Sequence, residues 1–171
     1  MPKSRSKARR WQVPLIILLL LAVVLIYNPV SIRVMTVGVA VYYGLDPGIF
    51  YRLIRTESGF RSFAISRARA IGLGQIREDT AFYIHKEHKR GLLFVPFYNL
   101  RLSAKYLKYL QKRYAQNWSL ILAAYNWGET NVSKRMAGQA IDPDKNYREL
   151  FRDIPETYRY IGKILPERKK A

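Results

Sequence analysis

Hydrophobic and polar positions divide the chain into an uncharged N-terminal stretch and a series of helical patterns. From Trp11 to Ile32 there is no charge, and the centre, Leu15 to Ile26, is wholly aliphatic. At about 1.5 Å per residue this length crosses a hydrocarbon core of roughly 30 Å. Val34 to Tyr43 is a second apolar run. It reads as the first helix of a soluble domain, with an extension of the span or an interfacial position as alternatives. Asp46-Pro47 then opens a helix, Asp as N-cap and Pro in the first turn, which Gly59 closes. Glu78-Asp79 starts another, expected to run to about Lys89, and Gly91 to Pro96 breaks the pattern. Tyr98 to Tyr114 is amphipathic, with Leu100, Ala104, Leu107 and Leu110 inward and Arg101, Lys105, Lys108 and Lys112 outward. Ser119 to Tyr125 is almost entirely apolar, Asn131 to Met136 is short, Gly138 to Asn146 is a polar loop, and Pro155 to Leu165 is the last helix. Strand signals are scarce, so the expected fold class is all-α.

Charge adds topology. Lys3, Arg5, Lys7, Arg9 and Arg10 precede the apolar run, and basic residues ahead of a span stay in the cytoplasm. The expected organisation is a basic cytoplasmic tail at 1–10, a single transmembrane anchor at 11–32 and one extracytoplasmic domain at 33–171. A cleaved signal peptide is the rival, but the small-residue site Gly38-Val39-Ala40 lies far beyond the apolar centre. The 171 residues suffice for one compact domain plus this segment. Lys and Arg number 30 against 12 Asp and Glu, and only five of the 30 lie in the tail. Such a cationic domain attracts polyanions. Outside the cytoplasmic membrane these are anionic lipid or wall polymer rather than nucleic acid, although basic helix faces are also simply solubilising.

The absence of cysteine excludes disulfide scaffolds, cysteine zinc sites and cysteine nucleophiles. His85 and His88, beside Glu87, lack an evident third metal ligand in a stretch, Ile84 to Arg90, that reads as a solvated charged face. No metal or cofactor is expected.

Candidate chemistry centres on Glu57. Phe50, Leu53, Ile54 and Glu57 recur at spacings of three and four, which sets a carboxylate on the core-facing stripe near a helix end. Desolvation there disfavours the charged form, raises the pKa and suits the group to act as a general acid. A glutamate reaching out to water is the bland alternative. Glu57-Ser58-Gly59-Phe60 is followed by Ser66, by Gly72-Leu73-Gly74-Gln75 and by Ala123-Ala124-Tyr125-Asn126, and the domain closes with Pro155-Glu156-Thr157. This ordered series, over roughly Gly44 to Leu165, resembles the lytic transglycosylases of the lysozyme superfamily, which cleave peptidoglycan.

The resemblance implies a lysozyme-like catalytic domain. Glu57 would be its sole catalytic acid and base, and Ser58, Ser66, Gln75, Tyr125, Asn126 and Glu156 would be its substrate-binding candidates. It implies cleavage of the β-1,4 bond between N-acetylmuramic acid and N-acetylglucosamine, the muramic C6 hydroxyl closing on C1 as a 1,6-anhydro ring. Arg69-Ala70, Gly74, Arg77-Glu78 and Tyr158 depart from the usual pattern and bear on groove shape. Simpler roles stand beside these: Tyr125 as a core tyrosine, Gln75 as a loop cap, Glu156 as a helix N-terminal acid. Two alternative functions share the fold. One is a goose-type lysozyme-like hydrolase, with Glu78 or Asp79 as second carboxylate, and the other a non-catalytic wall-binding protein.

Overall fold

The computed structural model describes residues 5–165, with side chains from Trp11 onward; residues 1–4 of the expected basic tail lie outside the described residues. The chain forms α1 (Arg5–Tyr27), α2 (Pro29–Tyr42), α3 (Pro47–Ser58), α4 (Glu78–Ile84), α5 (Pro96–Arg113), α6 (Trp118–Trp127), α7 (Glu129–Arg135) and α8 (Pro155–Ile164). Short 3-10 turns stand at Arg90–Phe94 and Arg148–Phe151. Two isolated bridges, Ile65 with Ile71 and Ile71 with Ile76, are the extended pairing among the described residues. The fold is mainly helical.

The uncharged N-terminal stretch divides at Asn28-Pro29. Proline has no N–H to continue a helix and disfavours helical geometry in the residue before it. Asn28 is extended, and its Oδ1 accepts the Val30 N–H at 2.8 Å, so it caps a new helix. Ile32, expected as the end of the anchor, is 2% exposed in the core of the domain. Among the described residues no single helix is long and apolar enough to cross a membrane; Trp11–Tyr27 and Pro29–Tyr42 meet that length and composition only together, with their axes bent by 61°.

Capping chemistry sets α3. The Asp46 carboxylate accepts the Ile49 N–H at 2.7 Å, Pro47 occupies the first turn, and Gly59 takes the left-handed conformation (φ 61°) that ends the helix. Phe50, Leu53 and Ile54 are fully buried. α2 packs on α3 and α5, α3 on α8, and α6 on α5, α7 and α8. α6 is central: Leu120 to Ala124 are inaccessible to solvent.

Two expectations need correction. α4 ends at Ile84 rather than near Lys89, because His85 is extended (φ −145°, ψ 101°) and turns the following segment inward. His88 is therefore only 4% exposed, with Nδ1 2.9 Å from the Tyr98 hydroxyl and its ring edge-on to Phe82. It does not lie on a solvated face. The second concerns α5, which starts at Pro96, two residues early, since proline at the first helical position is favourable.

The loop from Phe60 to Arg77, which follows α3, is tied to α5 by one buried amide. Asn99 of α5 donates through Nδ2 to Ile71 O (2.9 Å) and Leu93 O (2.8 Å) and accepts the Gly74 N–H at 2.8 Å. A Cβ at Gly72 would lie 2.3 Å from Asn99 Nδ2 and Leu93 O, so only glycine fits.

Candidate active site

Glu57 lies in the last turn of α3 and is partly buried, on the wall of a cleft of about 600 Å³. Its Oε1 accepts a hydrogen bond from the Tyr160 hydroxyl, presented by α8 across the cleft. The Glu57 pKa is raised from 4.5 to about 7. Loss of hydration is the largest cause. The Tyr160 hydrogen bond opposes it, and the negative charge of Glu156 adds to it. Burial, together with the charge of Glu57, holds the Tyr160 and Tyr125 hydroxyls well above the usual tyrosine range, so both remain donors near neutral pH.

Most of the candidates from the sequence meet at this cleft. Ser66, Gln75, Tyr125, Asn126 and Glu156 line it together with Glu57. Tyr125, at the end of α6, donates to Gly74 O at 2.8 Å, and its ring packs on Tyr106 at 5.3 Å. Asn126 Oδ1 accepts the Thr157 hydroxyl at 2.8 Å, which ties α6 to α8, and its amide nitrogen takes no protein acceptor among the described residues. Ser66 Oγ accepts the Ala70 N–H at 3.0 Å, and Gln75 Nε2 donates to Gly72 O at 2.9 Å and Ala64 O at 3.3 Å. Both side chains therefore hold the loop's shape, while the Ser66 proton and the Gln75 carbonyl oxygen stay available. Glu156, in the first turn of α8, is exposed at the rim.

Ser58 is not with them. Its hydroxyl is buried and donates to Ile54 O at 3.4 Å within α3, outside the cleft lining. Glu78 and Asp79 also lie outside it, Glu78 facing Arg90 at 3.5 Å and Asp79 facing Arg77 at 3.1 Å. The carboxylates lining the cleft, among the described residues, are Glu57 and Glu156.

Sequence reasoning missed Tyr160. Its signal is nevertheless present: it follows Thr157 by three residues on the buried stripe Thr157, Tyr160, Ile161 and Ile164, where it sets a hydroxyl among inward-facing side chains. Tyr106, Trp127, Arg159 and Lys163 also line the cleft without having been singled out.

Gly74 explains one departure in the sequence. A Cβ there would sit 2.0 Å from Ser103 Oγ and 2.9 Å from the Tyr125 hydroxyl, so these two side chains occupy the space that a larger residue would need.

A model of the transglycosylase SLT domain family matches residues 38–148, well over half of the chain. The chain belongs to this family. Among relatives of the SLT domain, the membrane-bound lytic murein transglycosylase C of Edwardsiella ictaluri is 31% identical over 147 residues, covering 71% of this chain and 41% of the relative. The protein of the same name from Actinobacillus pleuropneumoniae is 30% identical over 154 residues, covering 75% and 42%. The chain thus spans about two fifths of the length of these relatives. Among solved structures, an inactive mutant of the lytic transglycosylase Slt from Pseudomonas aeruginosa superposes with a TM-score of 0.69 at 28% identity, covering 82% of this chain and 24% of that one. The 70 kDa soluble lytic transglycosylase of Escherichia coli gives 0.60 at 25%, covering 70% and 20%. The family match ends before α8, so Glu156 and Tyr160 lie outside the matched segment and reach the cleft through the fold.

Proposed function

We propose that the chain is a membrane-anchored peptidoglycan lytic transglycosylase in which Glu57 is the sole general acid and base. The observation that carries this reading is the Glu57 carboxyl itself, poorly hydrated on the wall of an open cleft, with a pKa of about 7. Such a group exists in both protonation states at neutral pH, as a residue that first gives and then takes a proton must. With Oε1 engaged by Tyr160, the second oxygen is left to protonate the leaving glycosidic oxygen between N-acetylmuramic acid and N-acetylglucosamine. As carboxylate, Glu57 then removes the proton of the muramic C6 hydroxyl, whose oxygen bonds to C1 as the bond to the leaving sugar breaks. The products are a 1,6-anhydromuramoyl end and a free 4-hydroxyl, and no water is consumed.

Paired carboxylates are the usual equipment for glycoside hydrolysis. An internal nucleophile makes the second one unnecessary, and the ion pairing of Glu78 and Asp79 outside the cleft is consistent with that. Tyr160 orients the carboxyl, while the Asn126 amide, the Ser66 hydroxyl and the Gln75 carbonyl supply hydrogen bonds to sugar hydroxyls and acetamido groups. α1, basic in its first turns and apolar from Trp11, is the anchor, with the domain on the extracytoplasmic side. The names of the relatives support both the wall substrate and the membrane attachment. Glu57→Gln keeps the shape and removes the transferable proton. It is expected to lower the rate of turbidity loss of purified sacculi by at least about 10²-fold, and an unchanged rate would refute the enzymatic reading.

A further inference from the structure

α2 has two apolar faces, and packing within the domain uses one. Ile32, Thr36, Val39 and Ala40 are buried against α3 and α5. Val30, Val34, Val37 and Val41, at spacings of four, three and four, form the opposite stripe and are exposed, Val34 at 66%. Tyr42 is 82% exposed, and Phe97 extends the surface beneath Arg101, whose guanidinium lies 5.5 Å from its ring. Near the junction of α1 and α2, Tyr27 stacks on Phe63 at 5.1 Å. Phe63 is still 66% exposed, Ile65 is exposed beside it, and Arg61, Arg67 and Arg69 flank them. No acidic residue precedes Asp46, and none lies between Glu57 and Glu78.

A soluble surface rarely leaves so many large apolar side chains open on neighbouring elements. Aromatics and valines bordered by arginine, without acids, match the boundary between acyl chains and anionic headgroups. We propose that the outer face of α2 and the Phe63–Ile65 loop lie in the interfacial layer of an anionic phospholipid bilayer. This rests on reading α1 as the anchor and adds where the domain sits.

Continuity argues for lipid as the occupant. The described apolar part of α1, Trp11 to Tyr27, reaches roughly 25 Å at about 1.5 Å per residue, short of the roughly 30 Å hydrocarbon core. A span with nothing to spare draws the next element down to the membrane, and the 61° bend turns α2 from the direction of α1 toward the bilayer plane. The consequence is catalytic. The same loop supplies Ser66, Ala68 and Ala70 to the cleft, so the cleft rim rests at the membrane surface, and the glycan within reach is the layer next to the lipid.

The absence of cysteine permits a direct test. Single cysteines replace Leu18 in α1, Val34 in α2, Phe63 in the loop and Thr130 in α7, whose packing is on α6. The full chain carries an environment-sensitive fluorophore at each position in turn, in phosphatidylethanolamine–phosphatidylglycerol vesicles with nitroxide-labelled lipid. Labels at 18, 34 and 63 are expected to lose most of their emission to the nitroxides, while the label at 130 keeps it. Quenching at 18 with 34 and 63 behaving like 130 would overturn the interfacial placement and leave the anchor standing. No quenching at 18 would remove the anchor and this inference together. Emission at 34 and 63 that is blue-shifted yet unquenched would assign the face to a protein partner and contradict the lipid reading.

Discussion

At the residue scale, Glu57 is governed by opposing influences of known sign. Loss of hydration and the charge of Glu156 raise its pKa, and the Tyr160 hydroxyl lowers it. In its proposed role as general acid Glu57 must be protonated, so that reading predicts activity that falls as pH rises through about 7. Glu156→Gln removes a raising influence and should move this alkaline limb to lower pH. Tyr160→Phe removes a lowering one and should move it higher while also reducing kcat through a poorly aimed carboxyl. Profiles of initial rate on sacculi against pH check both directions, and displacement of the two limbs the same way would contradict the assigned causes.

Stability follows from the same shift. Because the folded-state pKa is raised, the contribution of protonated Glu57 is fully present below 4.5 and is lost as pH rises through about 7. The loss is at most about 3 kcal/mol. Glu57→Gln should therefore melt with the wild type at pH 4 and above it at pH 8, as thermal unfolding of the detergent-solubilised full chain would report. That charged groups at such sites cost stability was legible in the sequence, since a glutamate on the stripe of Phe50, Leu53 and Ile54 announces desolvation. Tyr160 was less so, because its contact with Glu57 joins residues 103 positions apart.

At the scale of elements, local chemistry carried the reading where caps are strong. Asp46, Pro47 and Gly59 bracket α3 as the sequence requires, and the apolar α6 is buried as its composition demands. Reading failed where a tertiary contact overrode local pattern. The charged run after Ile84 resembles a continuing helix face, yet His88 leaves it to meet Tyr98. At Asn28-Pro29 the hydropathy of the whole stretch masked a capped helix start. The loop between α3 and α4 has little regular structure and depends on Asn99 from α5, a link no local pattern reveals. Asn99→Ala would strip partners from the backbone groups of Ile71, Gly74 and Leu93 inside the core. A loss of about 3 to 5 kcal/mol is expected, measured by denaturant unfolding, with the Gln75 side of the cleft collapsing first.

At the scale of the whole molecule, the helical class was visible in the periodicity, and five of the six candidate substrate contacts named from one ordered set of motifs line the cleft with Glu57. Ser58 does not, since its buried hydroxyl turns back to Ile54 O within α3. The cleft has helical walls from α3, α6 and α8 and a rim from the Asn99-held loop, so its shape depends on elements that meet only in the finished fold. The central claim is that a lone proton donor suffices because the sugar supplies its own nucleophile. Mass spectrometry of the muropeptides released from purified sacculi by the full chain tests it most directly. The account predicts 1,6-anhydromuramoyl ends, absent with Glu57→Gln, and reducing muramic ends carrying an added water would contradict it.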